Sequence, residues 1–161
     1  DLPVTFEQPC ETLDDCLAVR RLTSHPIGID ERRDTLENMT LIVSEGIAEL
    51  INIKINRVGG LTRAARIRDL ALAHGIGISV MPTGGTVLAD TDAVHLAQTI
   101  PEPHRLRVWS CQDMITVDLA PGRGARVEDG MLSAPDEPGL GVVPDEEWLG
   151  EPVAVYLPGS E

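Results

Sequence analysis

The stretch that decides the fold is INIKINRVGGLTRA, residues 51–64, in which an alternating apolar run carries Lys54 and then breaks at Gly59-Gly60 into a helical pattern. Strand side chains alternate between faces. Asn52, Lys54 and Asn56 therefore share one side of a strand over 51–56, opposite Ile51, Ile53 and Ile55. The double glycine reads as a helix entry rather than a phosphate loop, because no Gly-Lys-Ser/Thr follows it. From 61 to 74, Leu61, Ala64, Ile67 and Ala71 fall on one helical face, and Gly75 supplies the stop.

Outward from this unit the same alternation repeats. Upstream, strands over 4–7 and 27–30 precede helices over 12–23 and 35–45, with Thr12 and Asp15 forming a capping-box-like start. Downstream, strands over 76–81 and 106–111 flank a helix over 86–99. Short apolar strands alternating with helices argue for βαβ units in a parallel sheet, a barrel or a doubly wound open sheet. The polar residues closing the first three strands, Glu7, Asp30 and Lys54, are 23 and 24 residues apart, one βα unit per interval. Parity puts small or polar residues (Thr5 and Glu7, Gly28 and Asp30, Asn52 and Lys54) on one side, which in a barrel is the interior. Residues 121–144 are rich in Gly and Pro and read as an irregular excursion before a last short strand over 153–157.

Composition narrows the function. The 161 residues carry a formal net charge of −13, a field that repels a phosphate backbone and excludes nucleic acid as a ready partner. No apolar run is long enough to cross a bilayer. Cys10, Cys16 and Cys111 lack metal or disulfide spacing, so each is expected to be a small packed residue in a reducing, cytoplasmic setting. None of the four histidines has ligand spacing.

Lys54 is the single lysine beside twelve arginines. An unpaired ammonium in an apolar strand is costly, and burial favours the neutral amine that a general base needs. The alternative is a strand-end lysine that snorkels to water. Glu7 and Asp30 at neighbouring strand ends, with Glu31 beside them, are hard oxygen donors that suit Mg²⁺, although acids before helices also serve as caps. Thr83-Gly84-Gly85 opens a helix whose N–H groups suit a carboxylate, or is an ordinary turn. Trp109 is either a core tryptophan or a face for a substrate ammonium.

Four ordered motifs carry a resemblance: FEQP at 6–9, PIGIDE at 26–31, IKINRVGGLTRA at 53–64, and DG-x-L…PDEPGLGV at 129–142. Together they resemble the muconate-lactonizing subgroup of the enolase superfamily. MPTGGTVLADTDAVHL at 81–96 and VWSCQDMITVDLA at 108–120 narrow this toward its cis-3-hydroxy-L-proline dehydratases and hydroxyproline-betaine epimerases. The resemblance implies the C-terminal half of a TIM-type (β/α)₇β barrel. Residues 1–120 would supply about strands 4 to 8, and 121–161 a return segment packed on a capping domain. It also implies Glu7 and Asp30 as Mg²⁺ ligands, Glu31 and Asn56 as supporting residues, Lys54 as acid/base, and Thr83, Gly84 and Trp109 near substrate. On the same footing the substrate is a small amino-acid carboxylate and the full-length protein a homo-oligomer. A first aspartate ligand and an opposing K-x-K base are expected from chain that precedes these residues, without which catalysis is not expected. Two rivals remain at this level, a Schiff-base aldolase using Lys54 and an inactive partial barrel.

Overall fold

A computed structural model describes residues 2–157, apart from the side chain of Arg33. Five strands form one parallel sheet in sequence order: β1 (Phe6–Glu7), β2 (Ile27–Ile29), β3 (Leu50–Ile53), β4 (Gly77–Val80) and β5 (Arg105–Val108). A doubly wound sheet reverses its strand order at a switch point. Here there is none, so the barrel alternative is the one realised, as an arc of five consecutive strands. Helices α1 (Leu13–Arg20), α2 (Leu36–Ser44), α4 (Leu61–Ala73) and α5 (Val87–Gln98) connect the strands, with α2 packed on α4 and α4 on α5. One turn of helix, α3 (Ile55–Val58), interrupts the third crossover.

The sequence writes this arc through the two faces of its strands. Ile27, Ile29, Ile51, Ile53 and Ile78 are fully buried in one core with Met39, Ile42, Ala64, Ile67 and Ala71 of the helices. On the concave face the strands carry Glu7, Gly28, Leu50 and Gly77. A Cβ at Gly28 would stand 2.5 Å from Leu50, and one at Gly77 would stand 2.7 Å from Leu106. Glycine at these two positions lets neighbouring leucines lie across the sheet. Helix ends follow local chemistry: Thr12, Thr35 and Thr86 each accept a backbone N–H at an N-cap.

Several boundaries differ from the sequence reading. The third strand ends at Ile53, and Lys54 caps α3, so Asn56 lies on a helical turn and not on the strand face of Lys54. Ile55 is buried with Val58 three residues on, a helical spacing that shares Ile55 with the alternating run before it. Leu61 is part-exposed at the first turn of α4 rather than on its buried face. β5 stops at Val108, leaving Trp109 just beyond it. No strand forms over 153–157; Val153, Val155 and Tyr156 are exposed. Cys16 and Cys111 are buried and Cys10 part-buried, all as free thiols.

Helix α5 is the platform for the tail. Buried Asp90 accepts from Ser110 Oγ (2.8 Å) and from the backbone N–H groups of Cys111 (3.0 Å) and Gln112 (3.1 Å), fixing the loop after β5. Its neighbour Thr91 accepts the Ala125 N–H at 2.9 Å. Beyond it, β6 (Val127–Glu128) and β7 (Met131–Leu132) pair as a small hairpin. The hairpin turns on Asp129 and Gly130, both at positive φ as a tight two-residue turn requires.

Burial pushes the Asp92 carboxyl up from 3.8 to about 6, with the charge of Asp90 adding to the effect and the Ala93 N–H and His95 opposing it. A raised carboxyl pKa means that the folded state holds the proton more tightly. The stabilisation is therefore complete below about pH 4 and is lost as pH rises through about 6. Asp92→Asn cannot ionise and is expected to exceed the parent in stability by about 1–2 kcal/mol at pH 7.5, allowing for partial exposure, with the gain vanishing near pH 4. Urea unfolding of both proteins across that range is the measurement.

Candidate active site

The C-terminal strand ends gather one buried ion cluster. Lys54, directly after β3, and Asp30, directly after β2, are both buried. The Lys54 Nζ donates to Asp30 Oδ2 at 2.5 Å and to Glu31 Oε1 at 2.9 Å. Arg57, on α3, pairs with the other oxygen of Glu31. The ammonium is thus doubly paired, neither alone in an apolar strand nor snorkelling to water. Isolated, it would carry a desolvation cost of several kcal/mol, whereas carboxylates on the adjacent strand and loop offset that cost. The register Gly28↔Leu50 and Ile29↔Ile51 is what brings residues so distant in sequence together.

Glu7 lies on the concave face at the end of β1. With Thr5, Leu50, Ser79, Leu106 and Arg107 it lines a cleft across the sheet. Arg107 donates to Ser79 Oγ at 3.2 Å and approaches Glu7 at 3.9 Å. Among the described residues Glu7 is not ion-paired with Lys54, and no three acidic, His or Cys side chains gather as a metal cage. The donor chemistry nonetheless fits a hard cation, since Glu7 and Asp30 present carboxylate oxygens from adjacent strands. Such an ion needs further oxygen donors beyond these two.

At the same rim, Thr83 donates its hydroxyl to Asn56 Oδ1 at 2.5 Å, tying the loop after β4 to α3. Asn56 thus supports Thr83 and not Lys54. Gly84 is exposed at φ +78°, and Thr86 caps α5 just beyond. Trp109 is half-exposed, so it is not a core tryptophan, and its backbone N–H donates to Val80 O at 3.0 Å. Sequence reasoning singles out Lys54, Asp30 and Glu31, which lie together at this rim, and Glu7, which lies apart from Lys54. It overlooks Arg57, Arg107 and Asp90. Arg57 was detectable only as the residue three beyond Lys54, a spacing that needs the helical turn to have been recognised.

Removing one partner from a buried pair leaves an uncompensated charge. Lys54→Met, which removes the buried cation that Asp30 and Glu31 share, is expected to cost about 3–5 kcal/mol of unfolding free energy. Lys54→Met combined with Asp30→Leu should recover much of that loss. Denaturant unfolding of single and double variants at fixed pH reads the coupling.

The Enolase C-terminal domain-like family matches residues 1–148. Among curated proteins, a cis-3-hydroxy-L-proline dehydratase of Roseibium aggregatum is 38% identical over 96% of this chain and 42% of its own length. An L-Ala-D/L-Glu epimerase of Bacillus subtilis is 30% identical over 85% of this chain and 37% of its own length. Among solved structures, a Silicibacter pomeroyi protein of the mandelate racemase/muconate lactonizing enzyme type superposes with a TM-score of 0.91 at 59% identity. An enolase-superfamily member from Roseovarius nubinhibens, complexed with magnesium, gives 0.90 at 46%. Each covers 96% of this chain, and the chain covers 42% of each. It therefore spans about two fifths of the length of the proteins it matches.

Proposed function

The chain belongs to the enolase superfamily, and from that premise we propose that its parent protein takes the α-proton from a proline-like 3-hydroxy amino acid and eliminates water. The observation that carries the reading is the buried Lys54 Nζ held between Asp30 and Glu31 at the C-terminal rim of the sheet, where barrel enzymes place their chemistry. The 38% identical dehydratase supports the choice of substrate class.

Lys54 is the proton-transfer group on one face of the substrate Cα. Asp30 and Glu31 orient its Nζ, and Arg57 keeps Glu31 in place. Glu7 and Asp30 are the residues of this chain that would hold Mg²⁺, with remaining donors from chain outside these residues. When bound, the cation neutralises negative charge that develops on the substrate carboxylate as the α-proton leaves. The Cα–H bond breaks with its proton passing to a base, the C3–O bond breaks, and the hydroxyl departs as water with one further proton. The remaining enamine tautomerises to a cyclic imine. Thr83, Gly84 and Trp109 stand at the same rim as substrate contacts, Trp109 offering a ring face to the ammonium. Residues 121–157, in which Trp148 and Leu149 are exposed, would belong to a return segment to a further domain.

A second reading, epimerisation at Cα, is favoured by the 30% identical epimerase. It shares the proton abstraction but returns a proton to the opposite face. Schiff-base chemistry finds no support among the relatives reported above, a dehydratase and an epimerase.

In the full-length protein, Lys54→Ala is expected to lower turnover by about 10²-fold or more. Asp30→Asn and Glu7→Gln should each weaken Mg²⁺ binding measured by calorimetry, since each removes an anionic oxygen. Incubation with cis-3-hydroxyproline in D₂O, followed by NMR, separates the two readings. A pyrroline carboxylate supports dehydration, deuterium at an inverted Cα supports epimerisation, and parental rates in Lys54→Ala exclude Lys54 from either.

A further inference from the structure

Gln8 has a conformation and a set of bonds that its position in the chain alone does not explain. It follows Glu7 at the end of β1 and precedes Pro9, and it is one of two described non-glycine residues at positive φ, +36°. An L residue is held there only when its surroundings fix it. Its backbone N–H donates to Gly28 O at 2.7 Å, continuing the β1–β2 ladder by one residue. Its side-chain Oε1 then accepts from three consecutive backbone N–H groups: Asp30 (3.1 Å), Glu31 (2.6 Å) and Arg32 (3.3 Å).

Three successive N–H groups aimed at one point form a nest that favours negative charge. Here they open the 3₁₀ turn Glu31–Arg33, whose own N-cap residue, Asp30, makes no side-chain capping bond. The Asp30 carboxylate accepts from Lys54, while Gln8 satisfies the turn from the neighbouring strand. The same residue is covalently next to Glu7. One side chain thus ties the two strand ends that bear the carboxylates.

We propose that Gln8 is a positioning residue. Its amide oxygen sets the backbone of 30–32 so that Asp30 and Glu31 face Lys54, and it fixes the spacing between Glu7 and Asp30 as cation donors. The proposal rests on the reading of Glu7 and Asp30 as Mg²⁺ ligands, and the test keeps the two apart.

In the full-length protein, Gln8→Glu preserves an acceptor oxygen, whereas Gln8→Met keeps the length and removes it. Gln8→Gly removes it too but relieves the positive φ, so this variant retains its fold if backbone strain limits the others. Calorimetric titration with MgCl₂ should show binding weakened by roughly 10–100-fold in the Met and Gly variants, the range for residues that orient a metal ligand. The Glu variant should stay near the parent. Amide hydrogen exchange at Glu31 and Arg32 should accelerate in the Met and Gly variants and not in Gln8→Glu. Unchanged exchange in both overturns the proposal. Faster exchange with parental Mg²⁺ affinity also overturns it, provided Asp30→Asn weakens binding in the same titration. If Asp30→Asn binds Mg²⁺ like the parent, the ligand reading fails separately. The position of Gln8 is then decided by exchange alone: acceleration supports the clamp and parental exchange refutes it.

Discussion

The burial of one ammonium constrains much of this architecture. Lys54 sits where β3 leaves the sheet, with almost no access to water, and a lone charge there is costly enough to unfold a marginally stable domain. Its partners cannot come from β3, whose residues are Leu50, Ile51, Asn52 and Ile53. They come from residues 30 and 31, one βα unit earlier, and they reach Lys54 only if β2 and β3 lie side by side, parallel and in the observed register. The ion pair and the sheet order therefore specify one another. A shift of one residue would turn Lys54 toward the helices and away from both carboxylates.

The glycines serve the same constraint from the concave side. A strand bearing acids and amides toward a barrel interior still needs apolar contact there. Leu50 and Leu106 provide it by lying over Gly28 and Gly77. Alanine at either position would press a methyl group into a leucine. The isoleucines on the opposite face then tie the sheet to α2, α4 and α5, so the two faces have separate tasks: one holds the arc together, and the other carries charge.

Much of this was legible in the sequence because period-two alternation reports faces directly. Repeated βα units pointed to a parallel sheet while leaving a barrel and a doubly wound order both open, and equal spacing put Glu7, Asp30 and Lys54 at successive strand ends. What was not legible depended on bonds between distant residues. The run Ile51-Ile53-Ile55 continues a strand pattern through Lys54, yet Ile55 with Val58 equally suits a helical turn. The backbone takes the turn, which moves Asn56 toward Thr83. Residues 153–157 alternate well enough for a strand, but a strand exists only with a partner, and none pairs with them among the described residues. The three acceptor bonds of Asp90 to the loop after β5 leave no local trace in the sequence.

The two carboxylates on Lys54 differ in a way that bears on the proposed proton transfer. Asp30 is almost wholly enclosed, while the side chain of Glu31 is 39% exposed at the rim and is shared with Arg57. A lysine fixed by two equally buried acids would be locked by both. With one acid at the rim, the ammonium has a fixed anchor in Asp30 and a second contact that solvent, substrate or Arg57 can compete for. Under the proposed function, movement of Lys54 toward substrate would give up only the exposed contact, since Arg57 already pairs with Glu31. Asp30 meanwhile continues to compensate the charge. For the proton-transfer role proposed above, the site thus offers one buried anchor and one contact at the rim that other groups can compete for.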